Sequence, residues 1–198
     1  LMIMEEPLAA FLKEEDSEEA LNIVIDAKYS IQRILNVTNG IEAVYAFRTD
    51  GLYACTKRGV FVLDDERYVE DMWPNAVLSL RGRALEYANG NGTLRKIDNY
   101  PFISIERAFY DMNTQDRTGY LMLLVSGKVI DQAIAALPGS DICAVGLDGT
   151  YLSGDRNLAR VYDRSLAGDT VTHKLYIYRG QRVMVSGIRV SDTPIILI

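Results

Sequence analysis

At 198 residues with 48% hydrophobic side chains, the chain has enough apolar surface for one large folded domain or two small ones, which excludes a disordered polypeptide. A net charge of −6 and a pI near 4.9 argue against a nucleic-acid partner, because phosphate binding needs a basic face. The single histidine excludes multi-histidine metal centres, and Cys55 and Cys143 fit neither CxxC nor CxxH spacing. They read as two buried free thiols rather than a disulfide.

In chain order, Pro7 to Glu15 is compatible with a helix. Ser17, followed by Glu18 and Glu19, reads as a helix N-cap with acids in the first turn, where the helix dipole favours them. Leu21, Val24, Lys28, Ile31 and Leu35 follow at spacings of three and four, with Lys28 the one break in the stripe, and Asn39-Gly40 suits a left-handed C-cap. Ile23, Ile25, Ala27 and Ile34 widen the apolar arc, so one side can face a sheet and another a second subunit. Ile41 to Phe47 and Leu52 to Thr56 read as strands around an Asp50-Gly51 turn, and Val60 to Leu63 adds a third. The acidic segment 64 to 71 reads as a solvated face and matches no calcium loop. Ala76 to Tyr87 is expected to be helical, followed by the turn Gly90-Asn91-Gly92, which lacks the Gly-Lys-Ser/Thr ending of a phosphate loop.

The segment from Pro101 to Val125 reads as a β-hairpin around which the rest is organised. Its first arm places Ile103, Ile105 and Phe109 on one face and Ser104, Glu106, Ala108 and Tyr110 on the other. Asn113 to Thr118 is turn-like, and Tyr120 to Val125 is continuously apolar, as suits a strand covered on both sides. Ile103, Ser104, Arg107, Phe109, Tyr110, Asp111, Asn113, Thr114, Gly119, Tyr120 and Leu121 together resemble the hairpin of extracellular tandem Cache sensor domains, above all those of bacterial YesM-type sensor histidine kinases. In that family a Trp-x-x-Ala element, here Trp73 to Ala76, precedes a helix and a glycine-rich turn. The resemblance implies an α+β fold: a long N-terminal helix on an antiparallel PAS-like sheet, then a second, smaller Cache-like unit.

After Val125 the period changes. Lys128 to Leu137 reads as a short helix stopped by Pro138-Gly139, and strands follow at Ile142 to Leu147, Tyr151 to Ser153, Lys174 to Tyr178, Arg182 to Val190 and Pro194 to Ile198. An internal echo supports two related units: Ala46, Asp50, Gly51 and Tyr53 recur as Ala144, Asp148, Gly149 and Tyr151, each displaced by 98 positions. The expected division is residues 1–126, the helix with a membrane-distal unit, and 127–198, a membrane-proximal one. Arg156, Arg160 and Arg164, four apart, would share one face of a helix, and are expected to lie on a hydrated loop or helix with Asp155 and Asp163 as partners.

Binding is better supported than catalysis. His173 lies in a polar stretch with no nucleophile motif beside it, so the fragment reads as non-catalytic, without metal or cofactor. Tyr53, Trp73, Tyr87, Arg107, Tyr110 and Asp111 are the candidate ligand-binding residues, aromatics giving area and one charge giving orientation. Arg107, by alternation on the face of Ile103 and Phe109, must pair with a carboxylate such as Asp111 or meet an anionic ligand. The Tyr, Arg and Trp-Tyr signature of amino-acid-binding Cache domains is not matched. No run of about 18 apolar residues is present. Apolar ends, LMIMEEP and PIILI, lead to the expectation that both termini continued into flanking transmembrane helices. The resemblance then implies an extracellular sensor at the bacterial membrane, homodimeric through its N-terminal helix, with a small molecule or a solute-binding protein as partner. A chemoreceptor or cyclic-dinucleotide enzyme with the same input module is the near alternative, and a stand-alone hydrolase a remoter one.

Overall fold

The computed structural model describes residues 6–14, 16–59, 61–63, 84–88, 94–96, 100–110, 114, 117–137, 141–191 and 193–198. The N-terminal segment folds as two helices, α1 (Glu6–Lys13) and α2 (Ser17–Val37), the apolar stripe from Leu21 to Leu35 lying within the second. The break falls where Asp16 takes an extended backbone and its carboxylate accepts the Glu18 and Glu19 N–H groups at 2.7 and 3.3 Å. Asp16, not Ser17, is therefore the N-cap, and an acid there also meets the positive end of the helix dipole. At the other end Thr38 is the C-cap, its N–H reaching Ile34 O, and Gly40 takes its positive φ one residue beyond the position a left-handed cap would use. Ala20, Ala27, Ile31 and Leu35 bury one stripe of α2, whereas Leu21, Ile25 and Tyr29, also four apart, lie exposed on another.

The first sheet has the order β2-β1-β7-β6-β4, all antiparallel, from β1 (Ile41–Arg48), β2 (Tyr53–Lys57), β4 (Leu85–Ala88), β6 (Phe102–Tyr110) and β7 (Arg117–Ser126). Strands β3 (Phe61–Leu63) and β5 (Leu94–Lys96) form a separate two-stranded ribbon. Residues 85–87, expected in a helix, belong to a strand: paired against Leu85, Glu86 and Tyr87, β6 supplies a ladder that outweighs the helical preference of Leu and Glu. Strand β7 lies centrally, so its continuous apolar run is covered on both faces. Helices α1 and α2 pack on one side against Val44, Ala46, Ala54 and Leu121, and a second core of Tyr45, Phe47, Phe61, Phe102, Ala108, Tyr120, Met122 and Leu124 forms on the other.

Gly127 leads into α3 (Lys128–Ala135), which sits at the junction of the two sheets. The Gly127 N–H reaches Pro101 O at 2.9 Å, and the Asp131 carboxylate accepts hydrogen bonds from Tyr100, ahead of β6, and from Ser153, on the second sheet. That sheet has the order β10-β11-β12-β8-β9, from β8 (Cys143–Gly146), β9 (Tyr151–Gly154), β10 (Thr172–Tyr178), β11 (Gln181–Arg189) and β12 (Ile195–Leu197). Its own core joins Val145, Leu158, Leu166, Tyr178, Val185 and Ile196. Where a loop or helix is expected through Arg156, Arg160 and Arg164, the chain forms two short 3-10 turns, Leu158–Val161 and Arg164–Leu166, interrupted by extended Tyr162 and Asp163, so the three arginines share no helix face. On the outer face of the β10–β11 hairpin, Leu175 is 78% exposed beside exposed Ile177 and Met184.

The echoed motifs are equivalent turns. Gly51 and Gly149 take φ of 89° and 86°, a region that glycine occupies without steric cost. The pairs Arg48 N to Leu52 O and Gly51 N to Arg48 O recur as Gly146 N to Thr150 O and Gly149 N to Gly146 O.

Candidate functional site

Register fixes which side chains meet on the first sheet's face away from α1 and α2. One row across β2, β1, β7 and β6 is Cys55, Tyr45, Met122 and Glu106; the next is Tyr53, Phe47, Tyr120 and Ala108. Tyr45 and Phe47 stack at 5.7 Å between ring centroids, and Tyr53 tilts against Phe47 at 5.5 Å. This is an aromatic floor running to the sheet edge, where Tyr53 is 38% exposed. Burial pushes the Tyr45 phenol and the Cys55 thiol up from their ordinary values, so both stay protonated at neutral pH.

Glu106 is the unusual member of this face. It is 1% exposed, its Oε1 accepts from the Ser104 hydroxyl at 3.0 Å, and its Oε2 has no hydrogen-bond partner among the described residues. Desolvation pushes its carboxyl up to about 7, against the lowering effect of the Ser104 hydrogen bond. A buried carboxyl with one open oxygen costs free energy unless it stays protonated or meets a donor or cation. Sequence alternation puts Glu106 on the face of Tyr110; register adds that Met122 stands opposite it on β7, and no charged group compensates it among the described residues.

The structure gathers some of the sequence-derived candidates and separates others. Tyr53 and Tyr110 both pack against the aromatic core, and Tyr87 stands opposite Ser104 in the register of β4 and β6. Arg107 is on the other face, as alternation requires, but exposed; its guanidinium lies 5.9 Å over the Phe109 ring and makes no ion pair among the described residues. Trp73 and Asp111 lie outside the described residues, as do the acidic segment 64 to 71 and the turn Gly90-Asn91-Gly92.

The remaining chemistry is sparse. His173 lies in β10 with Nδ1 2.8 Å from Ser186 Oγ, a pair without a third group to orient the ring among the described residues. Cys55 and Cys143 are free thiols, the first half-buried and the second buried. Among the described residues no cluster of three His, Cys, Asp or Glu could hold a metal ion, and no helix is long and apolar enough to cross a membrane.

No protein-family model matches the chain, and a search of curated proteins finds no match. Solved structures do resemble it. The sensory domain of the Campylobacter jejuni chemoreceptor Tlp3 with isoleucine bound superposes with a TM-score of 0.60 at 12% identity, over 98% of this chain and 80% of that one. The ligand-binding domain of the Pseudomonas aeruginosa amino acid chemoreceptor PctB with L-arginine gives 0.58 at 16% identity, over 98% and 82%. The extracellular domain of a putative histidine kinase, mmHK1S-Z2, gives 0.59 at 13% identity, over 96% and 84%. The chain thus has the α+β fold of these sensory domains, with N-terminal helices followed by two antiparallel sheets.

Proposed function

We propose that the chain is the extracellular ligand-sensing domain of a membrane receptor, non-catalytic in itself, with a histidine kinase as its output. A chemoreceptor or a cyclic-dinucleotide enzyme would use the same input. The observation that carries this reading is the open Oε2 of buried Glu106 beside the aromatic floor of Tyr45, Phe47 and Tyr53, in a fold shared with sensory domains. In this reading the ligand directs a hydrogen-bond donor or cationic group to Glu106 and its apolar part toward the aromatic core, with Tyr53 and Tyr110 as further contacts. Free amino acids are the first class to screen, since Tlp3 and PctB hold isoleucine and L-arginine.

Occupancy biases the relation between the two sheets only by the ligand's difference in affinity for two arrangements, about 1 to 3 kcal/mol in typical allosteric systems. In this reading a second copy packs on Leu21, Ile25 and Tyr29 of α2, whose apolar side chains are exposed. The test is thermal-shift screening with amino acids, amines, organic acids and sugars. At least one class is expected to raise Tm, and Glu106→Gln to weaken the effect. Silence across all classes, or shifts indifferent to Glu106, would overturn the reading.

A further inference from the structure

The two equivalent turns differ in what occupies the space beside them. At the first, Arg48 grips Asp50, with Nε 3.1 Å from each carboxylate oxygen and Nη2 2.8 Å from Oδ2. Its Nη1 donates to the carbonyls of Phe11 and Glu14, so the end of α1 is seated on the turn. At the second turn the residue in Arg48's place is Gly146. Asp148 there receives only the Thr150 N–H at 2.9 Å and the Thr150 hydroxyl at 2.7 Å, and no cation pairs with it among the described residues. A groove of about 420 Å³ opens beside it, lined by Leu147, Asp148, Tyr162, Arg164 and Ala167.

The walls of this groove are held by their own bonds. The Tyr162 hydroxyl donates to Leu147 O at 2.8 Å, and the Tyr162 ring lies so close to Gly149 that a Cβ there would come within 3.0 Å of it. Asp163, the acid nearest Arg164 in sequence, is committed to Ser165, Lys174 and Tyr176. The Arg164 guanidinium makes no hydrogen bond or ion pair among the described residues. The groove therefore offers an apolar lining from Leu147, Tyr162 and Ala167 and one exposed planar cation, a donor geometry matched to a carboxylate.

We propose that this groove is a second ligand site, separate from the Glu106 face, for a small monocarboxylate. The carboxylate pairs with Arg164 and a short apolar tail lies on Leu147, Ala167 and the Tyr162 ring. Asp148 on the same lining repels a second negative group, which sets the preference for one carboxylate over two.

The experiment is a titration of the whole ¹⁵N-labelled chain followed by amide chemical shifts, with propionate, succinate and propylamine as separate probes. Propionate is expected to shift Leu147 to Gly149 and Arg164 to Ala167 saturably, and succinate to bind about ten-fold more weakly. Arg164→Gln is expected to lose about ten-fold or more in propionate affinity, and Arg164→Lys to fall between, because a point charge lacks the guanidinium fork. Arg164 is exposed, so both variants are expected to keep the parent spectrum elsewhere. No saturable propionate shift, an unchanged affinity in Arg164→Gln, succinate or propylamine binding as well as propionate, or a collapsed variant spectrum would each overturn the proposal.

Discussion

The hydroxyl groups of Tyr100 and Ser153 donate to the two oxygens of one carboxylate, that of Asp131, although Tyr100 leads into the first sheet and Ser153 belongs to the second. Asp131 therefore ties the sheets through α3, and the two donors are energetically linked. Tyr100→Phe and Ser153→Ala are each expected to cost about 1 kcal/mol of unfolding free energy. The double variant should depart from the sum by about 0.5 kcal/mol or more, as partners sharing one acceptor do. Chemical denaturation of the four proteins in the cycle measures this. The hydrogen bond to Asp131 also pushes the Tyr100 phenol up to about 12, and the difference between the absorbance titrations of the parent and Tyr100→Phe isolates it.

Glu106 makes stability depend on pH. Its folded-state value, about 7, lies above the ordinary carboxyl value of 4.5 because of burial, so the folded chain binds the proton more tightly than the unfolded one. The resulting stabilisation is fully present below about 4.5, declines as pH rises through 7, and is gone above it. Glu106→Gln, which cannot ionise, should be more stable than the parent by up to about 3 kcal/mol at pH 8, with the gap closing near pH 5. Urea melts at the two pH values test this, and a gap that widens toward acid pH would contradict it.

Asp16→Ala should destabilise the chain by about 1 kcal/mol through loss of the α2 cap, while Asp16→Asn, which keeps an acceptor oxygen, should lose less than half of that. Thermal melts of the two variants against the parent measure the cap.

If α2 mediates pairing, Ile25→Lys should turn a dimer into a monomer while leaving the melting temperature of the monomer within a few degrees, because Ile25 is exposed and outside both cores of the first sheet. Light scattering coupled to size exclusion measures the mass. A parent that is already monomeric at high micromolar concentration would remove the case for this interface.

Period-2 alternation was enough to assign both faces of β6 and to mark β7 as a central strand, because side-chain direction in a strand is fixed by the backbone. Two further structural facts were beyond it. Alternation places Arg107 on the helix-covered face but does not say that its side chain emerges into solvent there. It also places Glu106 on the face opposite Ile105 without revealing that this face is buried or that Met122 is its opposite number. Residues 85–87 misled because Leu85 and Glu86 favour helix locally, and only pairing with β6 makes the segment a strand. The cap moved from Ser17 to Asp16 because both residue types can cap and only the backbone decides between them. The arginines at 156, 160 and 164 looked helical by spacing, but the backbone turns extended at Tyr162 and Asp163.

Strand β10 forms the rim of the second sheet, and Leu175 and Ile177 stand on it facing outward beside Met184 of β11. A rim of that kind can accept another polypeptide edge to edge, and the apolar side chains on its outer face extend the surface such a contact would bury. Aggregation of a concentrated solution is expected to begin at this border, and Leu175→Lys to suppress it.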